Sequence, residues 1–384
     1  MNTIYAFVLP FIIYLGICQI IRPDINIEKK DKKIPVIDKN KTYPKKEYHL
    51  ETEVTYIPLE TNKDVLLDRD AHIFHISESK ILVANKTKGE MFIFGMDGKV
   101  VSKFGVKSGL GVVIITHVVY DEPNNEVFIL DRPSRKVVIY NDKGTWLRAF
   151  RFPSDLIIEE INNFDNNSLL AYHEHLYGPI LQKQPYMFIS KKDGAVSSKL
   201  NINREKANPS VNYEKSTNTW AEIGFSHSGN CKFGHEFILA NMSSDTIYLL
   251  KQDKTVLPLF IQTPTVFTDP PVIVSVGMKT DGIITFAIYS FDLMGFVKKG
   301  TSGRFKGDER FLTYDFSTGT FYEHNSRGCW AEKADLPKNT GVRFIYPFDL
   351  INDFKLGILN GKLKEIASKM KLDDNPVIEI TKLK

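Results

Sequence analysis

A phrase of strand-type residues recurs along this 384-residue chain, and it limits the folds available more than any other feature. Its clearest copy spans 118–150, VVYDEPNNEVFILDRPSRKVVIYNDKGTWLRAF. Four runs of β-branched and aromatic residues, 118–121, 126–131, 136–141 and 145–150, are separated by polar turns, the last being Asn141-Asp142-Lys143-Gly144. An upstream copy, HIFHISESKILVANKTKGEMFIFGMDGKVVSKF at 72–104, places Met96-Asp97-Gly98 at the same turn. A four-strand unit repeated at this length predicts an all-β chain folded as a β-propeller, each repeat forming one blade.

Aligning the repeats on that turn gives six blades. Blade one runs over 72–104 and blade two over 117–150. Blade three takes strands at 158–164, 168–173, 186–190 and 196–200. Blade four takes 219–225, 236–241, 246–250 and 256–261. Blade five takes 272–278, 283–289, 311–316 and 320–324. Blade six has three candidate strands, 343–349, 354–359 and 376–383, and an orphan strand at 54–60 supplies its fourth. Joining the two ends in one blade leaves the ring without a free radial edge. Insertions fall at 174–185, 291–310 and 361–374. Leu363, Ile366, Ala367 and Met370 in the last recur at helical spacing, which predicts one short C-terminal helix.

Charge is concentrated near the start. Residues 22–46 hold nine basic and four acidic side chains, while the whole chain is only +4. The part from 47 onward is therefore close to neutral, which argues against a nucleic-acid partner, since such domains carry their own basic footprint. Residues 4–21 are almost uninterruptedly apolar and precede Arg22-Pro23-Asp24, the pattern of an export signal or single membrane anchor. Leu15-Gly16-Ile17-Cys18 is similar to a bacterial lipoprotein processing site, with Cys18 the candidate lipidation residue, although Ile17 stands where a small residue is usual. The expected organisation is a signal or anchor at 1–21, a solvated Lys-rich linker at 22–46 and a propeller at 47–384. That places the protein at the cell envelope, periplasm-facing or anchored in the outer membrane, with the N-terminal segment as its membrane contact. Cys231 and Cys329 are a candidate pair in an exported chain, and two separate thiols are the alternative.

The chain resembles the NHL-like six-bladed β-propeller proteins common in Bacteroidetes, many of them regarded as lipoproteins of unknown function. The resemblance is carried by VTYIPLET at 54–61, DEPNNEVFILD at 121–131 and LKEIASKMKLDDNPVIEITKLK at 363–384. It covers essentially all of 47–384. One departure lies at Ser108-Gly109-Leu110-Gly111-Val112, where such proteins often have a Gly-Pro-Gly-Glu loop. The resemblance implies a fold and export, and no reaction.

No nucleophile elbow, phosphate loop or zinc spacing is present. Ser226-His227-Ser228-Gly229 lacks the partners that would make it a triad. The first strand of each blade lines the channel, so residues near the starts of those strands should meet at its mouth: His72, His117, Glu160, Glu222 and Arg343, with His75 replacing His72 on a register shift. Such a ring is suited to an acidic ligand or a divalent metal, or else its members pair with one another. Trp146, Trp220, Trp330, Tyr172, Tyr177, Tyr186 and Tyr213 form a second candidate set, a platform for sugars or peptides, with packing between blades as the ordinary alternative. The expected function is that of a membrane-tethered, non-enzymatic binding or scaffold protein for a protein, peptide or glycan. The alternative is a metal-dependent hydrolase of the lactonase or esterase kind with its site in the channel.

Overall fold

The computed structural model describes residues 33–46, 52–108, 111–112, 114–173, 183–204, 211–214, 219–222, 230–268, 272–290, 309–324 and 334–383. They form a six-bladed β-propeller. Blade one is Ala71–Ile76, Lys80–Asn85, Glu90–Gly95 and Val100–Gly105. Blade two is His117–Asp121, Glu126–Asp131, Lys136–Asn141 and Trp146–Arg151. Blade three is Ile158–Asn163, Ser168–His173, Tyr186–Ser190 and Val196–Lys199. Each is an antiparallel meander in chain order, as alternating apolar strands joined by tight turns require. Blade five follows the same pattern, with Val272–Lys279, Ile283–Ser290, Glu309–Asp315 and Thr320–His324.

The recurring glycine turn has a specific packing role. Gly98, Gly144 and Gly194 all have positive φ, at 78°, 81° and 75°. A Cβ on Gly144 would run into Phe104 of blade one, and one on Gly194 into Phe150 of blade two. A Cβ on Gly98 would strike Pro58 on the outer strand of blade six. Each turn thus tucks beneath the outermost strand of the preceding blade, where only hydrogen fits. The faces between blades are filled with apolar side chains. Phe74, Leu82, Val118 and Val127 join blades one and two, and Phe128, Leu169 and Met187 join two and three. Each such side chain, fully buried, contributes about 1.5–3 kcal/mol.

Blade six closes the ring, with two departures from the expected strands. Val377–Leu383 pairs antiparallel with Thr52–Pro58, from Pro58 opposite Val377 to Thr52 opposite Leu383. It also pairs with Thr340–Ile345. The segment 354–359, expected as a strand, belongs instead to helix α1 (Pro347–Lys355) and the turn after it. Pro347 stands in the first turn, where its missing N–H is harmless, and Leu350 and Phe354 fall on one buried face. Helix α2 (Gly361–Ala367) is the expected C-terminal helix, shorter than the 361–374 insertion. The innermost position of blade six is filled by residues 334–336. Asp335 bridges in parallel to His75 on the inner strand of blade one, and Ala334 and Leu336 are buried among the apolar residues of blades six and one. Thr340–Ile345 is therefore the second strand of this blade, not the first.

Blade four also differs. Its inner strand is Cys231–Phe233, followed by Glu236–Leu239, Thr246–Leu250 and Val256–Thr263. Of the expected first strand at 219–225, Thr219–Glu222 lies outside the blade, pairing with Val211–Glu214 in a separate hairpin, and 223–225 fall outside the described residues.

The Lys-rich stretch before the propeller corrects a further expectation. Residues 33–46 are docked, not solvated. Val36–Asp38 adds a fifth strand to blade four, parallel to Val256–Thr263. Lys39 then enters the seam between blades four and five, where its Nζ donates to Val272 O at 2.9 Å. Burial pulls its pKa down to about 8 in spite of nearby Asp245. Tyr43 is buried beside Phe321 of blade five. Arg310 donates to Lys39 O and Lys41 O, both at 2.7 Å, and pairs with Glu323 at 3.0 Å. This strap covers the outer edge of blade four, an edge that would otherwise offer unpaired backbone groups. Residues 1–32, with Cys18, lie outside the described residues, as do Cys329, Trp330, Tyr177 and the 174–182 and 291–308 parts of the insertions.

Candidate functional site at the two ends of the channel

Alternation of strand direction fixes two ends. Inner strands begin at the end called upper here, so first-to-second and third-to-fourth strand turns lie at the lower end. Second-to-third connections and links between blades lie at the upper end. The second-to-third connections of blades three and five therefore leave from His173 and Ser290 at the upper end, where the Val211–Glu214 and Thr219–Glu222 pair and helices α1 and α2 also lie.

Five residues were expected to ring the upper mouth. His72 and His117 do begin the inner strands of blades one and two. Phe74 lies between them, 6.3 Å from the His72 ring and edge-on to the His117 ring at 5.8 Å, and Lys86 Nζ sits 5.5 Å over its face. Partial burial and the nearby Lys86 ammonium lower the pKa of His72, against the pull of Asp70. This small basic and aromatic group is the part of the expected ring that comes together. Glu160 is buried on the inner strand of blade three, and its Oε1 accepts from Asn162 Nδ2 at 2.7 Å. A bulge beside it turns Glu159 toward Arg132 of blade two, at 2.9 Å. Glu222 is not on an inner strand, since it pairs with Val211 in the hairpin. Arg343 is on the second strand of blade six, and its guanidinium grips Glu379 of the next strand at 2.8 and 2.9 Å. Of the aromatic set, Tyr172 and Tyr186 are buried, and Tyr186 Oη donates to Asn230 at 2.8 Å. Trp146 is half exposed on blade two. Tyr213 and Trp220 are register partners across the hairpin.

The more organised chemistry is at the lower end and was not expected. His75 is buried near the end of the inner strand of blade one, after a bulge that leaves Phe74 as the extra residue. Its Nε2 lies 3.5 Å from Glu122 of blade two and its Nδ1 3.8 Å from Asp335 of blade six. Lys232, on the inner strand of blade four, reaches Asp335 at 2.6 Å. Ser79 donates to Glu122 at 2.5 Å. Burial opposes charge on His75, yet Asp335 and Glu122 outweigh it and raise its pKa. Contact with His75, aided by Ser79 and Ser77 against the cost of burial, holds Glu122 down to about 2. Burial also works against ionised Asp335, but His75 and Lys232 keep its pKa below the usual carboxylate range.

Similar pairs occur at every junction of this end. Lys191 of blade three binds Asp121 of blade two at 2.7 Å, and Lys254 of blade four lies 4.0 Å from Asp165 of blade three. Lys279 of blade five meets Glu236 of blade four at 2.8 Å, and Lys338 of blade six meets Asp281 of blade five at 2.6 Å. His75 serves both the one–two and six–one junctions. The lower end is thus closed electrostatically around the ring. Among the described residues, no three His, Cys, Asp or Glu side chains are placed to hold a metal ion. Cys231 Sγ points to Val276 O of blade five at 3.7 Å.

Comparison with known proteins agrees with this architecture. A family model matches residues 31–382, which takes in the strap as well as all six blades. The chain belongs to the family described as domain of unknown function DUF4934. The start of the family match near the strap agrees with its place as part of the fold. Among solved structures, the chain is similar to a Bacteroides fragilis protein named as an inferred exported protein. That similarity has 13% identity and a TM-score of 0.63, covering 91% of this chain and 99% of the other. A DUF4221-family member from Bacteroides vulgatus is similar at 8% identity and a TM-score of 0.50, covering 88% and 99%. At these identities the likeness concerns the fold. No significant relative is found among functionally curated proteins.

Proposed function

We propose that the protein is an exported, membrane-tethered, NHL-like propeller that binds a protein, peptide or glycan at its upper end without chemically changing it. The observation that carries this reading is the contrast in how polar groups are used. Those of the lower end are spent on pairs between blades, while the strand pair that carries Tyr213 and Trp220 lies in a link between blades, at the upper end. Loops displayed from a rigid scaffold are where recognition usually sits. The export name carried by the similar Bacteroides fragilis protein supports the cell-envelope part, as do the apolar segment at 4–21 and Cys18 in its lipoprotein-like context.

The test has two arms. Mass spectrometry of the mature protein should find a chain beginning at a lipid-modified Cys18, and a chain still beginning at Met1 ends the lipoprotein reading. Purified protein should bind members of a peptide and glycan array without turnover. Trp220→Ala together with Tyr213→Ala should weaken that binding at least about tenfold, the loss expected of aromatic anchors. Hydrolysis of ester or lactone substrates that is lost on Glu160→Gln would replace this function with the enzymatic one.

A further inference from the structure

Four of the five most exposed large apolar side chains of the described residues gather on the connection that carries α1 and α2. Leu356 is 73% exposed, Leu372 68%, Phe348 64% and Ile358 60%. Helical geometry separates the faces of α1. Pro347 and Leu350 are buried, while Phe348, Asn352, Lys355 and Leu356 fall within about 100° of one another on the opposite side. Nothing described covers that outer face, although the inner face is well packed. Leu350, Leu359, Ala367 and Val377 form a small core with Tyr56 and Phe354, so the helices are fixed to the blade. The apolar outer face is therefore presented rigidly.

Its positive charge is concentrated on and beside α2. Between positions 355 and 371 there are five lysines, Lys355, Lys362, Lys364, Lys369 and Lys371, against one carboxylate, Glu365. Lys362 and Glu365 pair at 3.4 Å, while the other four lysines form no ion pair with a described residue. Asp349, Asp353, Asp373 and Asp374 flank the patch, and Asp374 is turned inward to accept the Lys371 backbone N–H at 2.7 Å. Protruding Phe, Leu and Ile side chains beside lysines match the boundary between acyl chains and anionic headgroups. Each lysine near such a surface contributes about 1 kcal/mol.

We infer that the outer face of α1 and the adjoining lysines of α2 form a docking surface for an anionic lipid bilayer. The inference rests on the tethered reading above for proximity. Residues 19–32 reach at most about 50 Å when extended, so a chain held at Cys18 keeps this patch near the membrane at high effective concentration. Blade six is diametrically opposite blade three in the six-membered ring. Docking by this rim turns blade three away from the bilayer, toward ligands arriving from solution.

The experiment uses the full chain with Cys18 kept for lipid modification, Cys231 and Cys329 changed to Ser, and an environment-sensitive dye on Leu356→Cys. Vesicles are either phosphatidylcholine alone or equal parts phosphatidylcholine and phosphatidylglycerol. Flotation reports tethering separately from the dye. The dye should brighten and shift to the blue with the anionic vesicles only, and the same dye on Asp193→Cys in blade three should not respond. Changing Lys364 or Lys369 to Gln should weaken the Leu356 response about fivefold per residue. A chain that floats while its Leu356 dye stays unchanged overturns the docking surface and leaves the tether intact. A dye response without flotation in weak binding conditions overturns the tether and supports the docking surface. A response that appears without vesicles and grows with protein concentration assigns the face to self-association and overturns the lipid proposal.

Discussion

At the lower end of the channel, Lys232, Asp335 and His75 tie blades four, six and one together across the axis, whereas at the upper end His72 projects beside Phe74 and Lys86. Both groups stand on inner strands, and two of the residues, His72 and His75, share the same strand three positions apart. What separates them is the chain around them. Short turns at the lower end bring carboxylates and ammonium groups from neighbouring blades into contact. The connections at the upper end are longer in sequence. The ion pairs that hold the ring therefore do not constrain the length of those connections.

The comparison breaks most sharply at Asp335. Asp335→Ala leaves Lys232 and His75 facing each other's charge in a partly buried setting, and chemical denaturation should show a loss on the order of 3 kcal/mol. The paired change Lys232→Met with Asp335→Leu should recover more than half of that loss, since it removes both charges together. No recovery would mean that the Asp335 carboxylate acts mainly through His75 and not through Lys232.

A pH titration of stability sharpens the same point. The pKa of His75 is raised in the folded protein, so its contribution is complete below the ordinary histidine value near 6.5 and fades as pH rises through the raised value. Glu122, held at about 2, contributes fully above the ordinary glutamate value and loses its contribution only as pH falls toward 2. The two together give their greatest support between about pH 4.5 and 6.5. Thermal melts should show stability declining toward alkaline pH, and His75→Gln should flatten that decline.

Two smaller effects complete the contrast. Arg343 is two-thirds exposed, so Arg343→Ala should cost less than about 1 kcal/mol despite its bidentate grip on Glu379. His72→Ala should change stability by no more than about 0.5 kcal/mol. A larger loss at His72 would make the upper mouth a structural element and erase the difference between the ends.

The regular blades were legible because their alternation and their Asp-Gly and Lys-Gly turns report real packing. Gly144 must be glycine because Phe104 occupies the place of its side chain. Legibility failed where local pattern and tertiary role diverge. Thr219–Glu222 has the residues of a strand and forms one, but with Val211–Glu214, while the true inner strand Cys231–Phe233 is too short to stand out. The strap reads as a linker because only Val36 and Ile37 precede a run of lysines, and its hold comes from Tyr43 and from Arg310, far along the chain. The contact of His75 with Asp335 joins residues at opposite ends of the sequence and depends on a bulge at Phe74 that alternation does not announce. Arg343 was misplaced for a related reason, because the three residues around Asp335 take the innermost position of its blade.

The seam in blade six also has a consequence in time. Thr52–Pro58 leaves the ribosome long before its partner Val377–Leu383. Until that partner arrives, the growing molecule is an open arc whose first and last finished blades both expose edges and apolar faces. Closure then waits on that one strand, and loss of Val377–Leu383 would leave an otherwise complete set of blades unable to become a ring.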